Sequence, residues 1–213
     1  SALAQPLLNA FFPRYPRTLQ RGGHGNVEML VQEREAYIAR CAGQRTYPWR
    51  SFIVGANDGA IAASDMVYRL ASPCQMSDVS WIKPGHAAWD WWNNSALYGV
   101  PFKAGFNNDT YRFFIDFAQR FGLEYVLIDE GWFSTQSTNI YDLAPDINLK
   151  ALVQYANERG VGIILWAGYL SLARDLENAI SHYSAMGIKG FKIDFLNRDD
   201  QPMLQFMQRT AQL

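Results

Sequence analysis

Asp194 closes an alternating apolar stretch, GFKIDF, with Lys192 two residues ahead of it and Asn197, Arg198, Asp199 and Asp200 just behind. Residues two apart on a strand share a face, so the ammonium and the carboxylate stand side by side. A charge pair on one face of a buried strand is costly unless it serves a ligand or a tight ion pair. A sharper reading is that Asp194 stands in a pocket and does chemistry. A plainer assignment has Asp199 as a helix N-cap and Asp194 as a strand-end residue satisfied by backbone. The rest of the chain decides between the two.

Three more strand candidates end in polar or flat residues. HAAWDWW (86–92) leads into Trp89, Asp90, Trp91, Asn93 and Asn94, and YVLID (125–129) into Asp129, Glu130 and Trp132. GIILW (162–166) leads into Trp166 and Tyr169, and GFKIDF (190–195) into Lys192, Asp194 and Asn197. If the strands are parallel neighbours, these residues ring one mouth. Acids after three strands of four, and Trp after three of four, point to a binding site rather than to scattered strand-end residues. Trp89 and Trp91 alternate with Asp90, so at least one of the two is core packing. His86 is a candidate ligand residue, but one His near the mouth supports no metal–His cluster. His182 sits on a helix and is expected to be exposed.

The positioning elements follow from periodicity. Each strand candidate precedes a helical pattern. DTYRFFIDFAQRFG places Phe113, Phe114, Phe117 and Phe121 at helical spacing, with Gly122 as its stop. NLKALVQYANERG repeats Leu149, Leu152, Val153 and Ala156 before Gly160, and RDLENAISHYSAMG ends at Gly187. DDQPMLQFMQRTAQ opens with acids and Pro202, as a helix N-terminus prefers. Apolar strands of this kind are buried on both faces, hence parallel. Four βα units occupy 86–213, whereas a (β/α)8 barrel needs eight units and roughly 250 residues. The fold class is α/β: the first half of a TIM-type barrel, or else a complete four-stranded doubly wound domain. Residues 1–75 carry EMLVQER, EAYIARCAG, RSFIVGAND and MVYRLAS, which read as strands at the end of an antiparallel sheet domain, with 76–213 as the βα part. RGGHGN (21–26) has no strand-to-helix context and reads as a turn, not a phosphate loop.

Composition bounds the function. Of 213 residues, 49% are hydrophobic and 18% charged, enough for a real core. A net charge of −1 gives no electrostatic case for nucleic acid or an anionic membrane. Cys41 and Cys74 make no CxxC motif and read as buried thiols, or as a bridge in an oxidising compartment. No apolar run spans a bilayer, and the opening SALAQPLLNAFFPRYP lacks the charge pattern of a signal peptide. Asn93-Asn94-Ser95 and Asn108-Asp109-Thr110 match the glycosylation pattern and are taken as chance. There is no nucleophile elbow, HExxH or dinucleotide fingerprint. Carboxylates, aromatic walls and hydroxyl-binding Lys and Asn, with no obligatory His, suit glycoside hydrolysis, where two carboxyl groups flank the scissile bond.

SWIKPGHAAWDWWN, YGVPFKAGFNNDTYRFFIDFAQRFGLEYVLIDEGW and GIKGFKIDFLNRDDQPM closely resemble glycoside hydrolase family 97 over about residues 25–213. IDEGW and KID are distantly similar to stretches of families 27 and 36. The resemblance implies an N-terminal β-sandwich, a central (β/α)8 barrel and a small C-terminal β domain. It implies exo-acting α-glycosidases that use calcium, in a periplasmic or secreted setting, with α-galactosides or oligosaccharides as substrates. Inverting members, α-glucosidases, lack an acid at the end of the fourth strand. Retaining members carry an Asp there as nucleophile, so Asp194 resembles the retaining branch. On this reading Asp194 attacks the anomeric carbon, and Lys192 binds sugar hydroxyls. Trp89, Asp90, Trp91, Asp129, Glu130, Trp132, Trp166 and Asn197 complete the substrate site. The family's general acid/base Glu and its calcium ligands have no counterpart within 1–213, so the chain reads as part of a longer enzyme and is expected to be inactive alone. Alternatives are an α-glucosidase of the same family and a non-catalytic carbohydrate-binding homologue.

Overall fold

A computed structural model describes residues 11–23, 27–47, 49–74, 76–134 and 136–213. Residues Ser1–Arg40 and Gly85–Leu213 belong to one compact unit, and Cys41–Pro84 form a second.

The first unit opens with a hairpin. Strands β1 (Pro16–Gly22) and β2 (Glu28–Arg34) pair antiparallel, with Gly22 opposite Glu28. RGGHGN, expected as a turn, lies between them in sequence, and its residues 24–26 lie outside the described residues, as does the start of the chain through residue 10. Pairing continues past the strands, where Glu35 and Tyr37 exchange backbone hydrogen bonds with Tyr15.

The second unit departs from expectation. RSFIVGAND and MVYRLAS form no strand there, nor does EAYIARCAG, most of which lies in the first unit; the second unit's described elements are helices α1 (Asp58–Ala62) and α2 (Met66–Leu70). β-propensity is a preference for a pleated, half-buried surface, not an intrinsic backbone property. Val54, Val67 and Tyr68 are exposed here, so apolar residues have no sheet face to pack against. Cys41 and Cys74 are free and exposed, not buried thiols.

From residue 87 the βα reading holds. Strands β3 (Ala87–Trp89), β4 (Tyr125–Ile128), β5 (Gly162–Gly168) and β6 (Gly190–Asp194) form one parallel sheet in sequence order. Helices α3 (Asn108–Phe121), α4 (Leu149–Asn157), α5 (Tyr169–Ala173), α6 (Leu176–Met186) and α7 (Gln201–Gln212) follow the strands in turn. This is an α/β arrangement consistent with part of a βα barrel. Gly122 and Gly187 end α3 and α6 at φ of 69° and 107°, a region costly for side-chain-bearing residues. Asp200, not Asp199, caps α7, accepting the amide of Met203. Val126, Ile128, Ile163 and Leu165 of the strands interlock with Ile115, Ala118, Leu152 and Ala156 of the helices, all buried.

Helix α3 corrects a face assignment. Phe114 is buried, but Phe113, Phe117 and Phe121 are exposed, and Phe117 and Phe121 pack on each other at 4.5 Å between ring centroids. The inward stripe is Tyr111, Phe114, Ile115 and Ala118. Two apolar stripes at helical spacing share this helix. The one that faces the sheet also carries a hydroxyl that the strand ends need.

Candidate active site

Strand β3 stops at Trp89 because Asp90 turns the chain into a short 3-10 segment, Trp91–Asn93. Asp90 was expected in the pocket; instead it is buried beneath it. Its Oδ1 accepts the Asp129 amide at 3.0 Å, and its Oδ2 accepts Tyr111 Oη at 2.9 Å and Ser95 Oγ at 3.0 Å. One carboxylate thereby ties together the ends of β3 and β4 and the helix α3. Burial pushes this carboxyl above its ordinary value, with the Asp129 charge adding and the three donors opposing. Asn94 and Ser95 adopt left-handed φ of 53° and 52° to close the turn, conformations that persist only where the surroundings over-determine them.

Asp129 stands one layer above. It is 3% exposed, and its Oδ2 accepts Lys192 Nζ at 2.8 Å and Trp89 Nε1 at 2.6 Å, while its Oδ1 accepts the Glu130 amide at 2.8 Å. Lys192 Nζ also lies 3.4 Å from Asp194 Oδ2 and 4.6 Å from the centroid of the Trp89 ring. The ammonium sits between two carboxylates and against an aromatic face, a placement that pays for its partial burial.

Asp194 ends β6, with Gly168 of β5 beside it in register. Its side chain is 41% exposed, the more open of the two carboxylates on Lys192. Oδ1 accepts the Phe195 amide at 2.8 Å, and Oδ2 accepts Trp166 Nε1 at 3.2 Å. Partial burial pushes the carboxyl up, but the Phe195 amide, the Trp166 indole and the Lys192 ammonium outweigh it and hold it below the ordinary carboxylate value. Phe195 has φ of 59°, so the backbone behind Asp194 is held in a sparsely populated conformation that turns its N–H onto the carboxylate.

The tryptophans divide by role. Trp132 is fully buried, donates Nε1 to the Trp166 carbonyl at 2.8 Å and packs on Tyr183 and Phe133. It is core, not the substrate wall its position after β4 predicted. The Trp166 ring is buried too, and only its indole N–H reaches the site. Trp89 stacks on Trp91 at 5.5 Å, with Trp92 edge-on to both. Trp91 and Trp92 are exposed. Glu130 is half-buried beside Asp129. Asn197 is exposed, with its Nδ2 donated to Glu28 of the hairpin. His86 is no site ligand: it lies at the amino end of β3, exposed, beside Glu124. His182 is exposed on α6, as expected. Tyr169 packs its ring against Phe206 of α7.

The structure therefore brings Trp89, Asp129, Trp166, Lys192 and Asp194 into one connected network at the carboxyl ends of the strands. Tyr111 and Ser95, which support it through Asp90, and Glu28, which bonds Asn197 outside it, carry no chemical signature in the sequence and were not anticipated. The arrangement can keep one carboxylate ionised and accessible while a cation and an indole fix its orientation.

A parallel βα sheet with its polar cluster at the strands' carboxyl edge has the site placement of the βα-barrel proteins. Matches to known proteins narrow this. A family profile described as Glycoside hydrolase 97 matches residues 89–213. A retaining alpha-galactosidase of Bacteroides thetaiotaomicron is 48% identical over 206 residues, covering 97% of this chain and 31% of that protein. A probable retaining alpha-galactosidase of Streptomyces bingchenggensis is 33% identical over 169 residues, covering 77% of this chain and 26% of that protein. The chain belongs to glycoside hydrolase family 97. It spans less than a third of the length of these relatives. Among solved structures, a family 97 enzyme from a Pseudoalteromonas species in complex with panose superposes with a TM-score of 0.54 at 23% identity, over 64% of this chain and 23% of that one. A beta-arabinopyranosidase gives 0.52 at 25% identity, over 72% of this chain and 24% of that one.

Proposed function

We propose that the protein carrying this chain is a retaining, exo-acting α-galactosidase in which Asp194 is the nucleophile. The observation that carries the reading is the state of Asp194: open on one side, held ionised, and oriented through both oxygens. Names of the two curated relatives support the sugar and the stereochemistry. Asp194 forms a bond to the anomeric carbon as the glycosidic C–O bond breaks. The leaving oxygen takes a proton from a carboxylic acid outside residues 1–213, and water then cleaves the glycosyl–enzyme ester, with retention. Lys192 offsets the carboxylate charge and donates to sugar hydroxyls; Asp129 orients Lys192 and, with Glu130 and Asn197, accepts hydrogen bonds from sugar hydroxyls. Trp91 offers the exposed face for stacking.

The architecture belongs to the same proposal: the hairpin as the end of an N-terminal β-sandwich, and the four βα units as the first half of a (β/α)8 barrel. So does a periplasmic or secreted setting, which rests on the family resemblance. Calcium, implied by that resemblance, is assigned to ligands outside this chain. Among the described residues no three His, Cys, Asp or Glu side chains converge to hold a metal, and the Lys192 ammonium occupies the gap between Asp129 and Asp194.

Hydrolysis of aryl α-galactosides and aryl α-glucosides by the full-length enzyme tests the reading. Preference for the galactoside, and near-complete loss in Asp194→Ala, is expected. Preference for the glucoside would give the α-glucosidase assignment instead, and no turnover of either would leave a binding protein.

A further inference from the structure

The carboxylate of Glu28 stands apart from the network already described. It begins β2, 169 residues from its partner in the sequence, and is only 7% exposed. Among the described residues its side-chain partner is the Asn197 amide, and no lysine or arginine pairs with it. A buried carboxylate bonded to a neutral amide is expensive, so its retention calls for a use.

The hairpin end that carries Glu28 is seated on the carboxyl edge of the sheet. The Val27 carbonyl accepts the Leu170 amide at 2.8 Å. A Cβ on Gly168 would lie 2.4 Å from Val27 Cβ, so β5 ends in glycine because the hairpin occupies that space. Gly168 is the register partner of Asp194. Beyond Asn197 the same segment is held again. Arg34 of β2 approaches Asp200 at 3.6 Å, and Arg40 and Gln201 exchange two hydrogen bonds of 2.8 Å. Asn197, three residues past Asp194, is thus an exposed side chain on a loop whose far end, at Asp200 and Gln201, is held by the hairpin segment.

We propose that Glu28 is a positioning residue of the sugar site, holding Asn197 Nδ2 so that the amide oxygen is presented to a sugar hydroxyl beside Asp194. This rests on the α-glycosidase reading above. An amide group is planar, and fixing its nitrogen on a buried acceptor fixes where its oxygen points. Without Glu28 the amide can rotate and offer a donor where an acceptor is needed. Asn197 makes its contact in ground state and transition state alike, so the loss falls on KM rather than kcat.

The test uses the full-length enzyme and an aryl α-glycoside that the wild type hydrolyses. Glu28→Ala and Asn197→Ala should each raise KM about tenfold, the scale of one hydrogen bond to a charged or oriented partner, with kcat within about twofold. The double variant should be no worse than the poorer single one, because both remove the same contact. Glu28→Gln, whose carbonyl still accepts the amide, should stay near the wild-type KM. Multiplying single effects, a fall in kcat with KM unchanged, or a Glu28→Gln variant as poor as Glu28→Ala would each overturn the inference. So would a Glu28→Ala variant that loses melting temperature while keeping its KM. If Glu28→Ala does not fold, Asn197→Ala and Glu28→Gln still decide it. A wild type inactive on every aryl α-glycoside would sink the proposed function and this inference with it. Wild-type activity with uncoupled variants would sink the inference alone.

Discussion

Lys192→Met separates two effects that one lysine exerts on two acids. Asp194 is 41% exposed on its side chain and lies 3.4 Å from the ammonium. At water's dielectric constant that separation is worth about 1.2 kcal/mol. Losing the cation raises the Asp194 pKa, because the ionised form loses its favourable neighbour. The wild-type carboxyl is depressed, so the acid limb of kcat/KM should lie below the ordinary carboxylate range. In Lys192→Met the limb should move up, whatever the loss in amplitude from missing hydroxyl contacts. Asp129 responds differently. Its side chain is 4% exposed, and removing its cation strands a buried charge. That should cost about 3 kcal/mol of stability, the low end for a broken buried pair, since Trp89 Nε1 and the Glu130 amide still donate. Adding Asp129→Asn should recover melting temperature and draw the limb part of the way back, because it also removes a like charge beside Asp194. The assay is kcat/KM against pH on an activated aryl α-galactoside, with a thermal melt of each variant. A limb that stays at the wild-type position in Lys192→Met, or that moves further up when Asp129→Asn is added, would refute the reasoning.

Trp166→Phe keeps a ring in the core but deletes the 3.2 Å indole donor to Asp194. The acid limb should rise, since the indole N–H favours the ionised carboxyl; an unmoved limb would show that the indole packs without tuning. Asp90→Ala should destabilise the enzyme by about 3 kcal/mol in denaturant unfolding, because the Asp129 amide and the Tyr111 hydroxyl lose their acceptor inside the protein. Tyr111→Phe, which removes one donor with its ring packing kept, should cost about 1 kcal/mol; equal costs for the two would contradict the tie that Asp90 makes between the strand ends.

What the sequence made legible follows from which physics is local. The βα alternation, the glycine stops at 122 and 187 and the shared face of Lys192 and Asp194 are short-range properties, and the structure keeps them. Asp90 and Asp129 look alike in the sequence, each an acid at a strand end. Both are buried, but Tyr111 of α3 donates to the first, a contact 21 residues away, whereas Trp89 and Lys192 donate to the second. Trp132 and Trp166 also look alike, yet one is wholly core and the other lends its N–H to Asp194. Their faces depend on the angles at which the chain leaves β4 and β5. Periodicity could not choose between the two apolar stripes of α3, since Phe113, Phe117 and Phe121 repeat as well as the buried set. Alternation in 50–58 and 66–72 has the look of strands, but a strand needs a neighbour and a face to bury, and neither is a local property. Glu28 could not be read at all: its meaning is a contact 169 residues away.

The central claim is that Asp194 attacks carbon directly, and the stereochemistry of the first product tests it most simply. Proton NMR of the full-length enzyme acting on an aryl α-galactoside resolves the two anomers before mutarotation mixes them. Displacement by Asp194 followed by displacement by water inverts the centre twice, so α-galactose should appear first. First appearance of β-galactose would mean a single displacement by water, and Asp194 would not be the nucleophile.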